Sequence, residues 1–280
     1  MISDVVYNSF GIITRIASQR NIKVFRLSEH GYTHYRLRSF NPALRTTRNP
    51  YNKYKEIFSN IDIEKQVIAL GEGEKILKKR VQGDIFTGIE YVSKSPFSSS
   101  SNKNKKLFKK NSFQVLLALH NFFDNPHKYR YLYYNDYLEW ALKTIDILSK
   151  NKINTYIKWH PLFYRYSSDH LAKKIITEKI KNHDNLKMIF NDQISYKDLV
   201  ENGLNWALTS HGTVANELPY LGVKVMCCGD HPHINYGFSI TPESREDYEA
   251  KLKNINNIDY KINKNEIYEF YYMHYLHFYN

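Results

Sequence analysis

The sequence predicts an α/β protein whose C-terminal half is a doubly wound parallel sheet. Three observations predict it. Strand-like and helix-like segments alternate from residue 113 to residue 228. The first strand, Phe113–Leu119 (Phe-Gln-Val-Leu-Leu-Ala-Leu), is an almost unbroken apolar run, as a strand covered on both faces would be. Each strand but the third is followed by a polar loop rich in His, Asp or Gly, and an open parallel sheet gathers such loops beyond the carboxyl ends of its strands.

The elements follow in order. Leu138, Ala141, Leu142, Ile145 and Leu148 form one stripe at helical spacing within Asn135–Ser149. Asn154–Lys158 reads as a strand ending in Trp159-His160-Pro161. Ser168–Lys181 reads as a helix with Ser168 or Asp169 as N-cap. Leu186–Phe190 is a strand, and Ser195–Asn202 a short helix closed by Gly203. Trp206–Thr209 is a strand, Val214–Leu221 a helix closed by Gly222, and Val223–Cys228 the last strand. A further helix spans Pro242–Asn254. In Ile267–Phe278, Ile267, Phe270, Tyr271, His274 and Phe278 share a face, which reads as core packing rather than a cofactor box.

The N-terminal part is read less fully. Asp4–Tyr7, Gly11–Gln19 and Ile22–Leu27 give a β-α-β pattern, the signature of parallel strands. Glu64–Ala69 and Ile76–Val81 are ambiguous, and Gly71-Glu-Gly73 reads as a loop pair. Residues 94–111 have no apolar periodicity and hold six lysines, so they read as a linker. The predicted division is therefore 1–93, a linker at 94–111, and 112–280.

Composition narrows the function classes. The chain has 280 residues, 42% of them hydrophobic, enough for a buried core and too many for a disordered tail. The formal charge of +12 suggests nucleic acid, but no nucleic-acid motif is present and six of the lysines fall in the stretch read as a solvated linker. A weak attraction to anionic lipid headgroups or phosphorylated substrates fits the charge better. No apolar run reaches the ~20 residues of a membrane span. The start of the chain shows no secretory signal pattern, and a cytoplasmic location is expected. The only cysteines, Cys227 and Cys228, are adjacent in a strand, point to opposite faces and cannot staple the fold.

The chemistry is expected at four loops. They are His120-Asn-Phe-Phe-Asp124-Asn-Pro-His127, Lys158-Trp-His160-Pro161, Ser210-His211-Gly212-Thr213 and Gly229-Asp-His-Pro-His233. Gly212 permits a tight turn, and Thr213 can cap the next helix, whose amino end suits a diphosphate. Glu217, four residues on, can accept ribose hydroxyls. Lys158 and His160 can donate to a phosphate or a leaving-group oxygen. Asp124 and His127 are candidate acid, base or sugar-binding groups. The chain has no C-x-x-C pair and no D-x-D, and no metal site is expected.

These residues resemble a known family. The His160-Pro161 pair after an internal strand, the Ser210-x-Gly-Thr-x-x-x-Glu217 segment and the Leu221-Gly-Val-x-Val225 strand together resemble bacterial capsule and surface-polysaccharide glycosyltransferases of the GT-B type. That group includes Kdo-transferase and sialyltransferase relatives carrying an HP motif. The resemblance covers 113 to about 254 and is weak before 94. It implies two Rossmann-like domains: an acceptor domain at 1–93, short or incomplete, and a nucleotide-sugar domain at 112–280 whose final helix crosses back. It implies transfer from a nucleotide-sugar to a growing glycan or lipid-linked glycan, with no cofactor and no metal. His160, Asp124 and His127 would be catalytic. Lys158, Ser210, His211, Gly212, Thr213, Glu217, His120 and His233 would bind the substrate. His30, Tyr32, His34 and Arg36 would line the cleft. Two alternatives stay open: a phosphotransferase using a CDP-activated alditol, and a truncated homologue without activity.

Overall fold

Five parallel strands organise the protein: β3 (Gln114–Ala118), β4 (Asn154–Lys158), β5 (Leu186–Ile189), β6 (Trp206–Thr209) and β7 (Lys224–Cys227), in the order β5-β4-β3-β6-β7. The computed structural model describes residues 8–30, 34–40, 53–84, 95–98, 107–124, 132–160, 167–190 and 194–277. The chain runs outward from β3 through β4 to β5, then returns to β6 on the other side of β3 and continues to β7. This is a doubly wound α/β sheet with its topological switch between β3 and β6.

Strand alternation builds a separate core on each face. Leu116, Ala118, Tyr156, Ala207, Val225 and Cys227 point into one, and Val115, Leu117, Ile157, Trp206, Leu208, Met226 and Cys228 into the other. The second core is covered by helices α4 (Tyr137–Lys150), α5 (Ser167–Ile180) and α8 (Arg245–Lys253). Every residue of β3 is buried, which explains its unbroken apolar character.

The first core is covered from both ends of the chain. Helices α2 (Tyr54–Ser59) and α3 (Ile63–Gln82) come from the N-terminal part. Helices α6 (Tyr196–Glu201), α7 (Val214–Glu217) and α9 (Lys264–Tyr271) come from the C-terminal part, and a π-helical turn, Tyr272–Leu276, prolongs α9. The aromatic stripe of α9 is core packing, with Ile267, Phe270 and Tyr271 buried.

Several expectations are corrected. After α1 (Asn8–Gln19), β1 (Val24–His30) pairs antiparallel with β2 (His34–Phe40), a hairpin the sequence reading did not include. Three residues separate β1 from β2, and a parallel pair needs a crossover of a dozen or more. The expected strand Asp4–Tyr7 lies outside the described residues, as does Tyr32. The ambiguous stretches at 64–69 and 76–81 merge into the single helix α3, closed by Gly83 at φ +110°. The stretch read as a linker is anchored where it is described. Phe97 is buried, the Pro96 carbonyl accepts the Tyr196 amide, and Phe108 packs on Tyr156.

Gly73 is the contact point of α3 and α9 rather than part of a loop. A Cβ placed there would stand 2.1 Å from the Tyr268 carbonyl oxygen and 3.2 Å from the Tyr272 nitrogen. Backbone atoms cannot swing aside, so Gly73→Ala must push the helices apart. It is expected to lower the unfolding free energy by about 2–3 kcal/mol. Gly71 has open space at the same position, and Gly71→Ala is expected to stabilise by roughly 0.5–1 kcal/mol through helix propensity. Urea denaturation of the two variants measures both; equal effects would mean that α3 and α9 do not touch at Gly73.

Candidate functional site

Three histidines from three strand ends meet at the carboxyl edge of the sheet. His120 follows β3, His160 follows β4, and His211 follows β6. Ring centroids lie 4.7 Å apart for His120 and His211 and 5.8 Å apart for His120 and His160. Tyr137, the first residue of α4, completes the group. Its ring stacks on His120 at 4.6 Å, and its hydroxyl lies 3.3 Å from His211 Nε2. β3 and β6 flank the topological switch, where an open sheet leaves a crevice for ligands.

Local structure sets each ring in place. Asp136 caps α4 by accepting the Glu139 amide, which fixes where Tyr137 emerges. The Asp169 carboxylate accepts the Phe122 amide at 2.7 Å and holds the turn that carries His120 to Asp124. This buried carboxylate stands inside α5, which begins at Ser167, so it is not the N-cap predicted for that helix. Asp124 Oδ2 lies 3.8 Å from His120 Nδ1, and both side chains are partly exposed. An antiparallel bridge between Leu132 and Gly229 ties the segment before α4 to the loop after β7.

The electrostatics favour a neutral His160 ring. Burial, aided by repulsion from His120, pulls the His160 pKa from its ordinary 6.5 to about 3; Asp124 works in the other direction. Between those pH values the unfolded chain takes up a proton that the folded ring refuses. Stability is therefore full above pH 6.5 and is lost as the pH falls towards 3, by up to about 1.4 kcal/mol per pH unit from this group. His160→Gln is expected to flatten that slope in chemical denaturation between pH 4 and 6; an unchanged slope would contradict it.

Other predicted residues take different places. Lys158 is buried; its Nζ donates to the Ile194 carbonyl at 2.7 Å and lies over the Tyr196 ring. It props the segment entering α6, so the expectation of a phosphate donor beside His160 is not matched by its surroundings. Glu217 is also buried, paired with Arg80 Nε of α3 at 2.7 Å. Burial opposes the Arg80 charge, but the Glu217 carboxylate outweighs it and raises the guanidinium pKa. This pair occupies the carboxylate expected to face a ribose. His233 is buried among His231, Phe238 and Phe270. His127 lies outside the described residues, as do the side chains of His30, His34 and Arg36.

The loop after β6 is tight but its helix is short. Thr209 Oγ1 accepts the Gly212 amide, and a Cβ at Gly212 would stand 2.9 Å from that oxygen. Thr213 makes no side-chain cap. α7 is a single turn, followed by the 3₁₀ turn Pro219–Leu221 and closed by Gly222 at φ +86°. The predicted eight-residue helix is cut short because Pro219 cannot donate its backbone nitrogen. Ser210 is buried, while His211, Gly212 and Thr213 are partly exposed.

Sequence reasoning missed Tyr137 and Arg80. Tyr137 opens a helix the sequence did predict, and its place beside an N-cap aspartate was the available signal. Arg80 lies in a stretch with no clear periodicity, and nothing in it points to a partner 137 residues away.

No protein-family model and no curated protein sequence matches the chain. Among solved structures it is similar to Thermosulfurimonas dismutans KpsC, a beta Kdo 2,4 transferase, at 13% identity and TM-score 0.49, over 94% of this chain and 76% of that one. It is also similar to the Methanocaldococcus jannaschii UDP-GlcNAc 2-epimerase in complex with UDP-GlcNAc and UDP, at 18% identity and TM-score 0.38, over 52% of this chain and 40% of that one. Among the described residues, no helix is long and apolar enough to cross a membrane.

Proposed function

We propose that the chain transfers a sugar from a nucleotide-sugar to a glycan acceptor, with the donor phosphate held at the carboxyl edge between β3 and β6. The observation that carries this reading is the meeting of His120, His160 and His211 from three separate strand ends at the switch of a doubly wound sheet. Imidazoles on three independent loops, partly open to solvent, suit an anion that must be bound and later released. The sequence resemblance to surface-polysaccharide transferases supports the same substrate class.

Each residue takes a role from its surroundings. His160 and His211 donate to phosphate oxygens, and the backbone at Gly212 allows close approach. His120, with Asp124 beside Nδ1, accepts the proton of the attacking acceptor hydroxyl. The one-turn α7 contributes little dipole, so the imidazoles carry the electrostatic load. An anion raises the pKa of the rings it touches, so binding takes up protons and tightens as the pH falls.

A panel of UDP-, CDP-, GDP- and CMP-sugars, read by thermal shift and product mass, tests the proposal. The expected result is stabilisation by at least one donor, lost in His160→Ala, with proton uptake by calorimetry in buffers of different ionisation heat. A product carrying added phosphorus would replace sugar transfer by alditol-phosphate transfer. No response to any nucleotide would overturn the reading.

A further inference from the structure

A second cluster lies behind the open edge. Cys227, His231 and His233 are all buried, and one ligand atom from each lies within 4.8 Å of the others. Cys227 Sγ stands 3.8 Å from His233 Nε2. In a tetrahedral zinc site, bonds of about 2.3 Å to sulfur and 2.0 Å to nitrogen set that edge at roughly 3.5 Å. The two imidazoles stand 3.8 Å apart between centroids.

The surroundings suit ligation. His231 Nε2 meets Thr241 Oγ1 at 2.6 Å. A hydrogen bond of this kind on the outer nitrogen fixes the tautomer and orientation of a ligating imidazole, which here would coordinate through Nδ1. His233 turns Nε2 towards Cys227 Sγ, and its outer Nδ1 is buried with no hydrogen-bond partner among the described residues. Gly229, at φ +132°, begins the turn that brings both histidines back over the end of β7.

We infer that Cys227, His231 and His233 supply three of the four ligands of a site for a divalent cation of the zinc class, the fourth being a solvent molecule, and that the ion pins the loop after β7 to that strand. Thiolate with imidazole is the donor set this class of ion prefers. On binding, the Cys227 thiol gives its proton to solvent and its sulfur lone pair to the metal, while the imidazoles bind as neutral rings; nothing is oxidised or reduced. Because the thiol must lose its proton to ligate, affinity is expected to rise with pH. The inference is independent of the transferase reading, since it assigns the metal no part in the reaction.

The test is metal analysis of the whole chain expressed with added Zn²⁺, followed by chelation and replacement with Co²⁺. One equivalent of zinc per chain is expected, with a thiolate-to-cobalt charge-transfer band after exchange. Both should disappear in Cys227→Ser and His233→Gln. Both should persist in Cys228→Ser, whose side chain lies in the opposite core. If Cys227→Ser does not fold, His231→Gln with a native circular dichroism spectrum should show the same loss. Wild-type protein without zinc and without a cobalt band, or a band unchanged in the folded variants, would overturn the inference.

Discussion

Arg80→Met is expected to lower the unfolding free energy by about 3–5 kcal/mol, because it leaves the Glu217 carboxylate buried without its partner. Both side chains are nearly inaccessible, at 7% and 1%. Arg80→Lys should rescue little, since Arg80 reaches the carboxylate through Nε, part-way along the side chain, where a lysine has only methylene groups. The double variant Arg80→Met/Glu217→Leu should recover most of the loss, because two apolar side chains leave no charge to satisfy. Urea denaturation of the four proteins measures this; a double variant as unstable as Arg80→Met would show that the pair is more than charge compensation. The pair also joins α3 to the turn that follows Gly212. The single variant should therefore weaken donor binding under conditions where the protein is still folded.

His120→Ala is expected to lower the transfer rate by about 10²–10⁴-fold, the usual contribution of a positioned general base. The effect should fall on kcat more than on KM, since His160 and His211 remain to hold the donor. Asp124→Asn should cost less, because it removes the carboxylate near Nδ1 and leaves the ring. In the pH–rate profile, loss of the base should remove the acid limb. A KM effect with an unchanged profile would move His120 into the binding group and leave the base elsewhere.

The sheet was legible because buried parallel strands carry their own pattern. β4 and β6 fall where the sequence put them, and β3, β5 and β7 differ by a residue or two at their ends. The carboxyl-edge histidines followed from topology alone, since any polar residue just after such a strand must come to that edge. What each side chain does there was not legible. Lys158 and Glu217 are long charged side chains at strand and helix positions that could face either solvent or core. Their direction is decided by partners, Ile194 and Arg80, far away in sequence. The hairpin of β1 and β2 was not legible because strand-helix-strand spacing does not say which strands pair. Gly73 looked like a loop signal because a glycine that admits a neighbouring helix is identical, in one dimension, to a glycine that makes a turn. The Cys-His-His cluster has no familiar spacing; it forms only because the chain turns back at Gly229.

The two neighbouring thiols sit on opposite sides of one sheet, each sealed in its own core. They are a built-in pair of clocks for the two layers. In the metal-free chain, a thiol reagent reaches Cys227 when the layer shared by both ends of the chain opens, and Cys228 when the layer of α4, α5 and α8 opens. Peptide mapping of the order of alkylation would therefore tell which side of the molecule breathes first, without any engineered label.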